Sequence, residues 1–243
     1  MSQDFPESRY PLYNRLMPYT TLFFDLDDTL YSGSNGLWDI IRERMSLYMV
    51  EVLRLPEAEV PAMRRSYFET YGTTLRGLQI HHQVDADDYL HYVHDLPLEQ
   101  FIQPNPELRR MLLSLPQQRW IFTNADADHA RRVMSVLGVS DCFNGIIDIR
   151  ALGFACKPEQ EAYERALCLA GDPAPEACVL LDDSANNLAA ARRLGFSTVR
   201  VGQNGTSHPA AQYTLATLQE LPSIMPCLWA ASTEDETQAP GRS

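Results

Sequence analysis

The stretch Leu22-Phe23-Phe24-Asp25-Leu26-Asp27-Asp28-Thr29-Leu30 constrains this chain more than any other. Three apolar residues that need burial run straight into three carboxylates that need water, a cation or a partner charge. Carboxylates this close repel one another, and burying them unpaired costs several kcal/mol. Asp25 and Asp27 are two apart, so in extended chain their side chains share a face. Open α/β sheets hold ligands just beyond the carboxyl ends of their strands. The stretch therefore predicts a buried strand over 21–25 that delivers an aspartate to a divalent-cation site.

The remaining pattern divides in two. From Asn35 to about His94, apolar residues fall at three- and four-residue spacing (Leu37, Ile40, Ile41, Met45, Tyr48, Met49), which predicts helices. One of these is expected over 57–71 and ends at Gly72. Another starts at the acids Asp85, Asp87 and Asp88, which complement its dipole. After Pro104 and Pro106 the chain alternates. Helices are expected over 107–115, 128–137, 158–169 and 187–194, with Pro158 in a first turn. Strands are expected over 120–122, 145–149, 178–181 and 198–201. Strand–helix alternation implies a doubly wound parallel sheet, and the short apolar runs suit strands covered on both faces. The expected organisation is an N-terminal arm over 1–18, a core over 19–32 and 104–229, a helical insertion over 33–103, and a disordered tail over 230–243.

The 243 residues are 45% hydrophobic, enough for one large core with an accessory unit. The formal net charge of -12 argues against binding nucleic-acid polymers, whose phosphates need Lys and Arg. It leaves room for a small phosphorylated ligand in a locally positive pocket. Five scattered cysteines without a CxxC pair suit small buried hydrophobes in a reducing compartment. No apolar run approaches the roughly 20 residues that cross a bilayer, so a soluble, cytoplasmic protein is expected.

Three predicted strand ends carry reactive residues: Asp25, Asp27 and Asp28; Thr123 and Asn124; Asp182 and Asp183. Lys157-Pro158 lies between the last two. Taken singly, each has an ordinary explanation: a helix cap, a turn, a surface lysine. Parallel strands point their carboxyl ends the same way, so these residues can converge.

Asp25-Leu26-Asp27-Asp28-Thr29-Leu30, Thr123-Asn124, Lys157-Pro158 and Asp182-Asp183-Ser184-Ala185-Asn186-Asn187, in this order, resemble the four motifs of the haloacid dehalogenase-like (HAD) superfamily. The resemblance covers about residues 20–203 and implies a Rossmann-like α/β core with a helical cap inserted after the first strand. It implies Asp25 as a nucleophile that forms an aspartyl-phosphate, and Asp27 as general acid and then base. It implies Thr123, Asn124 and Lys157 as phosphoryl contacts, and Mg²⁺ held by Asp25, Asp27 (through its carbonyl) and Asp183. Asp182, Asn187 and Thr29 take supporting places, Asp182 as a candidate further metal contact. Asn187 stands where many relatives carry a second acid.

Within the insertion, Tyr71-Gly72-Thr73-Thr74-Leu75-Arg76-Gly77-Leu78 resembles a segment of the pyrimidine 5'-nucleotidases of this superfamily; Asp28-Thr29-Leu30-Tyr31-Ser32 and Tyr92-Val93-His94-Asp95 resemble that subgroup too. Thr73 and Thr74 can bond the polar edge of a base or ribose, and Tyr67, Tyr71 or Trp38 can stack on a ring. His81, His82, His91 and His94 lack metal-site spacing and read as surface or hinge residues. The expected reaction is hydrolysis of UMP or CMP; a sugar phosphate, haloacid dehalogenation, phosphomutase chemistry and non-catalytic nucleotide binding are the alternatives. The expected partners are a small phosphomonoester and at most a second copy of the chain, with no nucleic-acid polymer and no membrane.

Overall fold

Six strands, β1 (Thr21–Phe24), β2 (Gln118–Phe122), β3 (Gly145–Ile147), β4 (Cys178–Asp182), β5 (Ser197–Val201) and β6 (Tyr213–Leu215), form one sheet in the order β3-β2-β1-β4-β5-β6. Every neighbouring pair is parallel. The computed structural model describes residues 18–202 and 205–229. The expected arm and tail lie almost wholly outside them.

Alternation along the strands explains the two-sided core. Leu22, Phe24, Ile121, Val179, Leu181 and Val199 face one way, onto α1 (Leu37–Leu47), α5 (Pro106–Ser114) and α6 (Ala127–Leu137). Phe23, Phe122 and Leu180 face the other way, onto α7 (Gln160–Leu169) and α8 (Ala185–Arg193). Leu22, Phe23 and Phe24 are fully buried, and each contributes about 1.5–3 kcal/mol by leaving water. The chain winds outward from β1 to β2 and β3, then returns to β4 on the other side of β1. That reversal opens a crevice at the carboxyl ends of β1 and β4. Asp25 extends the pairing by donating its N–H to the Leu181 carbonyl at 2.9 Å, so the acid enters the crevice on a fixed backbone.

Between β1 and α5 lie α2 (Val60–Tyr71), α3 (Thr74–His82) and α4 (Ala86–His94), which with the end of α1 build a third apolar cluster around Tyr48, Met49, Leu78, Tyr89 and Val93. Ile149 and Cys156 from the sheet side join this cluster. The helical segment is therefore seated on the loops that follow β3. Gly72 ends α2 at φ 80°. A Cβ there would stand 2.9 Å from Cys156 Sγ and 3.1 Å from the Lys157 carbonyl. Only glycine permits both the left-handed backbone and this approach.

A second contact is polar. His94, at the end of α4, is 7% exposed and shares a 2.6 Å hydrogen bond between its Nδ1 and Asp126 Oδ2. Arg132 donates to the His94 and Leu96 carbonyls, and Arg150 pairs with Asp87. His94 is thus no surface residue: it is the inner end of a buried pair that joins α4 to α6. Burial, and then neighbouring His129, lower the His94 pKa, so its imidazole is neutral at pH 7 and Nδ1–H donates. Burial pushes the Asp126 carboxyl up, but the His94 hydrogen bond, followed by the His129 amide, outweighs it and holds Asp126 well below the usual range.

Other expectations shift at element ends. Pro158 does not open a helix. Glu159 N–H bonds the Cys156 carbonyl at 2.8 Å, Lys157-Pro158 is cis, and α7 begins only at Gln160. β3 stops at Ile147, two residues short, because Asp148 turns to accept from the Ala127 and Ala151 amides. β6, three residues at the sheet edge, carried no signal in the sequence. Among the described residues no helix is long and apolar enough to cross a membrane.

Gly72→Ala is expected to cost about 2–4 kcal/mol, from left-handed strain and overpacking together. Gly138→Ala, also left-handed (φ 75°) but with no atom within 4 Å, is expected to cost only about 1–2 kcal/mol. Thermal unfolding of the two variants measures the gap, and equal losses would contradict the close packing on Lys157. A group whose folded pKa is depressed stabilises above its unfolded pKa and loses that contribution in acid. The stability difference between wild type and Asp126→Asn, about 1–3 kcal/mol at pH 7, should therefore shrink as the pH falls below about 4. Urea unfolding at stepped pH reads this, and a difference that widens in acid would contradict it.

Candidate functional site

The sequence at each strand end dictates a sharp change from apolar to acidic, and the sheet brings those ends together. Asp25 follows β1, Asp182 closes β4, and Asp183 follows it. Their carboxylate oxygens lie within 4.8 Å of one another. Lys157, 1% exposed, reaches between two of them: Nζ is 2.7 Å from Asp25 Oδ1 and 2.8 Å from Asp182 Oδ2. A buried ammonium is tolerated only with such partners. Burial lowers its pKa, but Asp182 and then Asp25 raise it further, so the group stays charged.

One ammonium does not balance three carboxylates. Asp25 sits well above the ordinary carboxylate range, chiefly through burial, with Asp182 and Asp183 adding repulsion that Lys157 only partly offsets. Asp183 is pushed up to about 7 by burial and then by Asp182. Asp28 is pushed up to about 6 by burial and then by Asp27. Hard oxygen donors crowded in this way fit a divalent cation, and the sequence places no soft ligand among them.

Asp182 is further fixed by the Ser184 amide at 2.8 Å and by Asn187 Nδ2 at 3.1 Å to each oxygen. Asn187 thus serves as a donor where an acid would add repulsion. Thr29 Oγ1 donates to Asp25 Oδ2 at 3.2 Å. The Asn124 amide grips the Lys157 backbone in both directions, Nδ2 to its carbonyl at 2.9 Å and Oδ1 from its N–H at 2.8 Å. Asn124 therefore holds the lysine loop in place. Thr123, 1% exposed, accepts from the Ala125 amide at 3.0 Å.

Asp27 departs from the other acids. Its carboxylate is not one of the three that gather within 4.8 Å, and it accepts on Oδ1 from Tyr31 OH at 2.6 Å and from His129 Nε2 at 2.9 Å. Burial raises its pKa, but His129 and then Tyr31 outweigh this and hold it low. His129 stacks on His94 with centroids 4.1 Å apart.

On the helical segment, Thr73 Oγ1 caps α3 by accepting from the Arg76 amide at 3.1 Å, and Thr74 is buried. Tyr67 and Tyr71 bond His82 and His81. Trp38, in the first turn of α1, packs against the core. Among the described residues no hydrogen bond joins Thr73 or Thr74 to the acidic group, although Gly72, next to Thr73, touches the lysine loop.

Sequence reasoning missed Asp126, His129 and the bond from Tyr31 to Asp27. Asp126 reads as an ordinary N-cap, and it does cap α6 through the Asp128 and His129 amides. His129 occupies an inward position of an amphipathic helix, where a histidine is indistinguishable from other core residues until β1 is placed beside it.

The family model for haloacid dehalogenase-like hydrolases matches residues 19–195. "Phosphate metabolism protein 8" of Saccharomyces cerevisiae is 30% identical over 191 residues, which cover 73% of this chain and 60% of that protein. The chain thus spans about three fifths of this relative's length. Similar folds occur in a HAD phosphatase from Thermococcus onnurineus (20% identity, TM-score 0.55, 84% of this chain and 96% of that one). They occur also in magnesium-bound YfnB from Bacillus subtilis (18%, 0.55, 84% and 97%). L-2-haloacid dehalogenase from Xanthobacter autotrophicus, with chloropropionic acid covalently bound, is as close (17%, 0.54, 84% and 97%). Identities this low show the fold alone. With the matched family model and the convergent strand ends, the chain belongs to the haloacid dehalogenase-like hydrolases.

Proposed function

We propose that this hydrolase is a Mg²⁺-dependent phosphomonoesterase acting through an aspartyl-phosphate on Asp25, with pyrimidine nucleoside 5'-monophosphates (UMP, CMP) as substrates. The observation that carries the reading is the Lys157 ammonium locked between Asp25 and Asp182 beside Asp183. A site for an anionic substrate needs positive charge beside its nucleophile, and this lysine supplies it. Asp25, Asp182 and Asp183 are the side chains that would hold the metal, with the Asp27 carbonyl as a further donor. When bound there, Mg²⁺ supplies positive charge that shields the carboxylates and the phosphoryl oxygens from one another.

The remaining work falls to the chain. Lys157 keeps Asp25 oriented, and Thr29 holds its second oxygen. Asp25 attacks phosphorus; the ester P–O bond breaks, and the leaving oxygen takes a proton from Asp27. A water then attacks phosphorus, gives its proton to Asp27, and the Asp25–phosphorus link breaks to release phosphate. Thr123 lines the phosphoryl side, and Asn124 acts through the lysine loop. The segment 33–103 serves as the cap that selects the leaving group. The Tyr71–Leu78 resemblance supports a pyrimidine nucleotide, with Thr73 and Thr74 on the leaving-group side. The yeast relative's name, which places it in phosphate metabolism, accords with phosphate release. Carbon–halogen hydrolysis needs neither an acid at Asp27 nor the three-carboxylate group, which argues against it. Buried thiols at Cys142, Cys156 and Cys178 suit a reducing cytoplasm.

Phosphate release across nucleoside monophosphates and sugar phosphates tests the substrate: UMP and CMP should lead, and a sugar phosphate in first place would overturn that choice while leaving the phosphatase intact. Asp25→Asn should lower turnover by on the order of 10³ or more, and wild-type turnover in that variant would remove the nucleophile. EDTA should abolish activity and added Mg²⁺ restore it; full activity in EDTA would contradict a metal at the carboxylate group.

A further inference from the structure

We propose that His129 and Tyr31 are positioning residues that hold Asp27 as the base of the second half-reaction, leaving Asp27 Oδ2 as the oxygen that receives the water proton. The inference rests on the aspartyl-phosphate reading above. Both donors converge on one atom: Tyr31 OH at 2.6 Å and His129 Nε2 at 2.9 Å from Oδ1. They arrive from different directions, Tyr31 from the loop four residues after Asp27 and His129 from the first turn of α6. Two donors on one carboxylate oxygen fix the carboxyl plane and occupy that oxygen, so proton exchange passes to the other.

His129 is held by its backbone amide and by a stacked ring, while its Nδ1 is buried without a hydrogen-bond partner among the described residues. The residue is 1% exposed. Its ring lies on His94 at a 19° interplanar angle. His94 in turn bonds Asp126, which accepts from the His129 backbone amide at 2.9 Å. Asp126 therefore fixes His129 twice, through its main chain and through the ring beneath it. A histidine needed only to fill space would not require a hydrogen-bonded ring stacked on it and an aspartate aimed at that ring. This chain joins α4 of the helical segment to the Asp27 carboxylate, so seating of that segment and placement of the base depend on the same contacts.

In the step concerned, the water oxygen bonds phosphorus, one water proton moves to Asp27 Oδ2, and the Asp25 oxygen–phosphorus bond breaks with its electron pair returning to Asp25. Aryl esters isolate this step, because a nitrophenolate leaves without needing a proton. Rapid-quench labelling with ³²P-nitrophenyl phosphate in the presence of Mg²⁺ gives two rate constants: formation of acid-stable phosphoprotein and its decay. In His129→Phe, which keeps a ring on His94, and in Tyr31→Phe, decay should slow by about tenfold to a hundredfold, part of the 10²–10⁴ that a positioned base supplies. Formation should slow by a smaller factor. His129→Gln, whose amide retains a donor near Nε2, should recover part of the decay rate. Equal slowing of both steps in folded variants would mean general damage and would overturn the proposal, as would unchanged decay. If His129→Phe fails to fold, Tyr31→Phe decides alone, since it lies outside the histidine stack. Wild-type protein that releases nitrophenolate without forming phosphoprotein would instead refute the aspartyl-phosphate reading on which the proposal stands.

Discussion

The buried ion group of Lys157 with Asp25 and Asp182 is the constraint around which the crevice is organised. A charge pair in the interior gains little over hydrophobic packing, yet losing one member leaves an uncompensated charge that costs about 3–5 kcal/mol. The surrounding structure is arranged to keep this group intact. Asn124 clamps the Lys157 backbone, Asn187 and the Ser184 amide hold Asp182, and Thr29 holds Asp25. These supports come from the ends of β1, β2 and β4, so the doubly wound order of the sheet is what lets them meet.

A second layer of organisation links the helical segment to the same crevice. Gly72 lets the end of α2 rest on Cys156 and Lys157, and the His94–Asp126 pair joins α4 to α6. One contact bears on the lysine loop and the other, through His129, on Asp27. Lys157 and Asp27 are thereby both backed by contacts with the segment proposed to select the leaving group. Altered seating of that segment would reach the reacting groups through two independent routes.

Much of this was legible in the sequence because strong local signals coincided with global ones. β1, β2 and β4 announce themselves as apolar runs that stop at polar residues, and the parallel alternation forces those stops to one edge. The Asp25, Asp182 and Asp183 grouping follows from that geometry, whereas Lys157 reaches it from the loop after β3. What stayed hidden depends on relations between distant residues. His129 sits 102 positions from Asp27 and His94 sits 32 from Asp126, and neither has a local pattern that distinguishes it from packing. That the Asn124 amide holds the backbone of Lys157 is equally hidden, since nothing in a Thr-Asn turn reveals it. The three-residue β6 fell below the length at which periodicity can be read.

In the proposed reaction the Asp25 carboxylate is the group that bonds phosphorus, with the lysine and the other carboxylates acting around it. The most direct measurement is peptide mapping by mass spectrometry of protein acid-quenched during turnover of a phosphate monoester and trapped by borohydride reduction of the acyl phosphate. The modification is predicted on the peptide bearing Asp25 and at that residue. Modification at Asp182, Asp183 or Asp27, or turnover with no modified aspartate at all, would contradict the account.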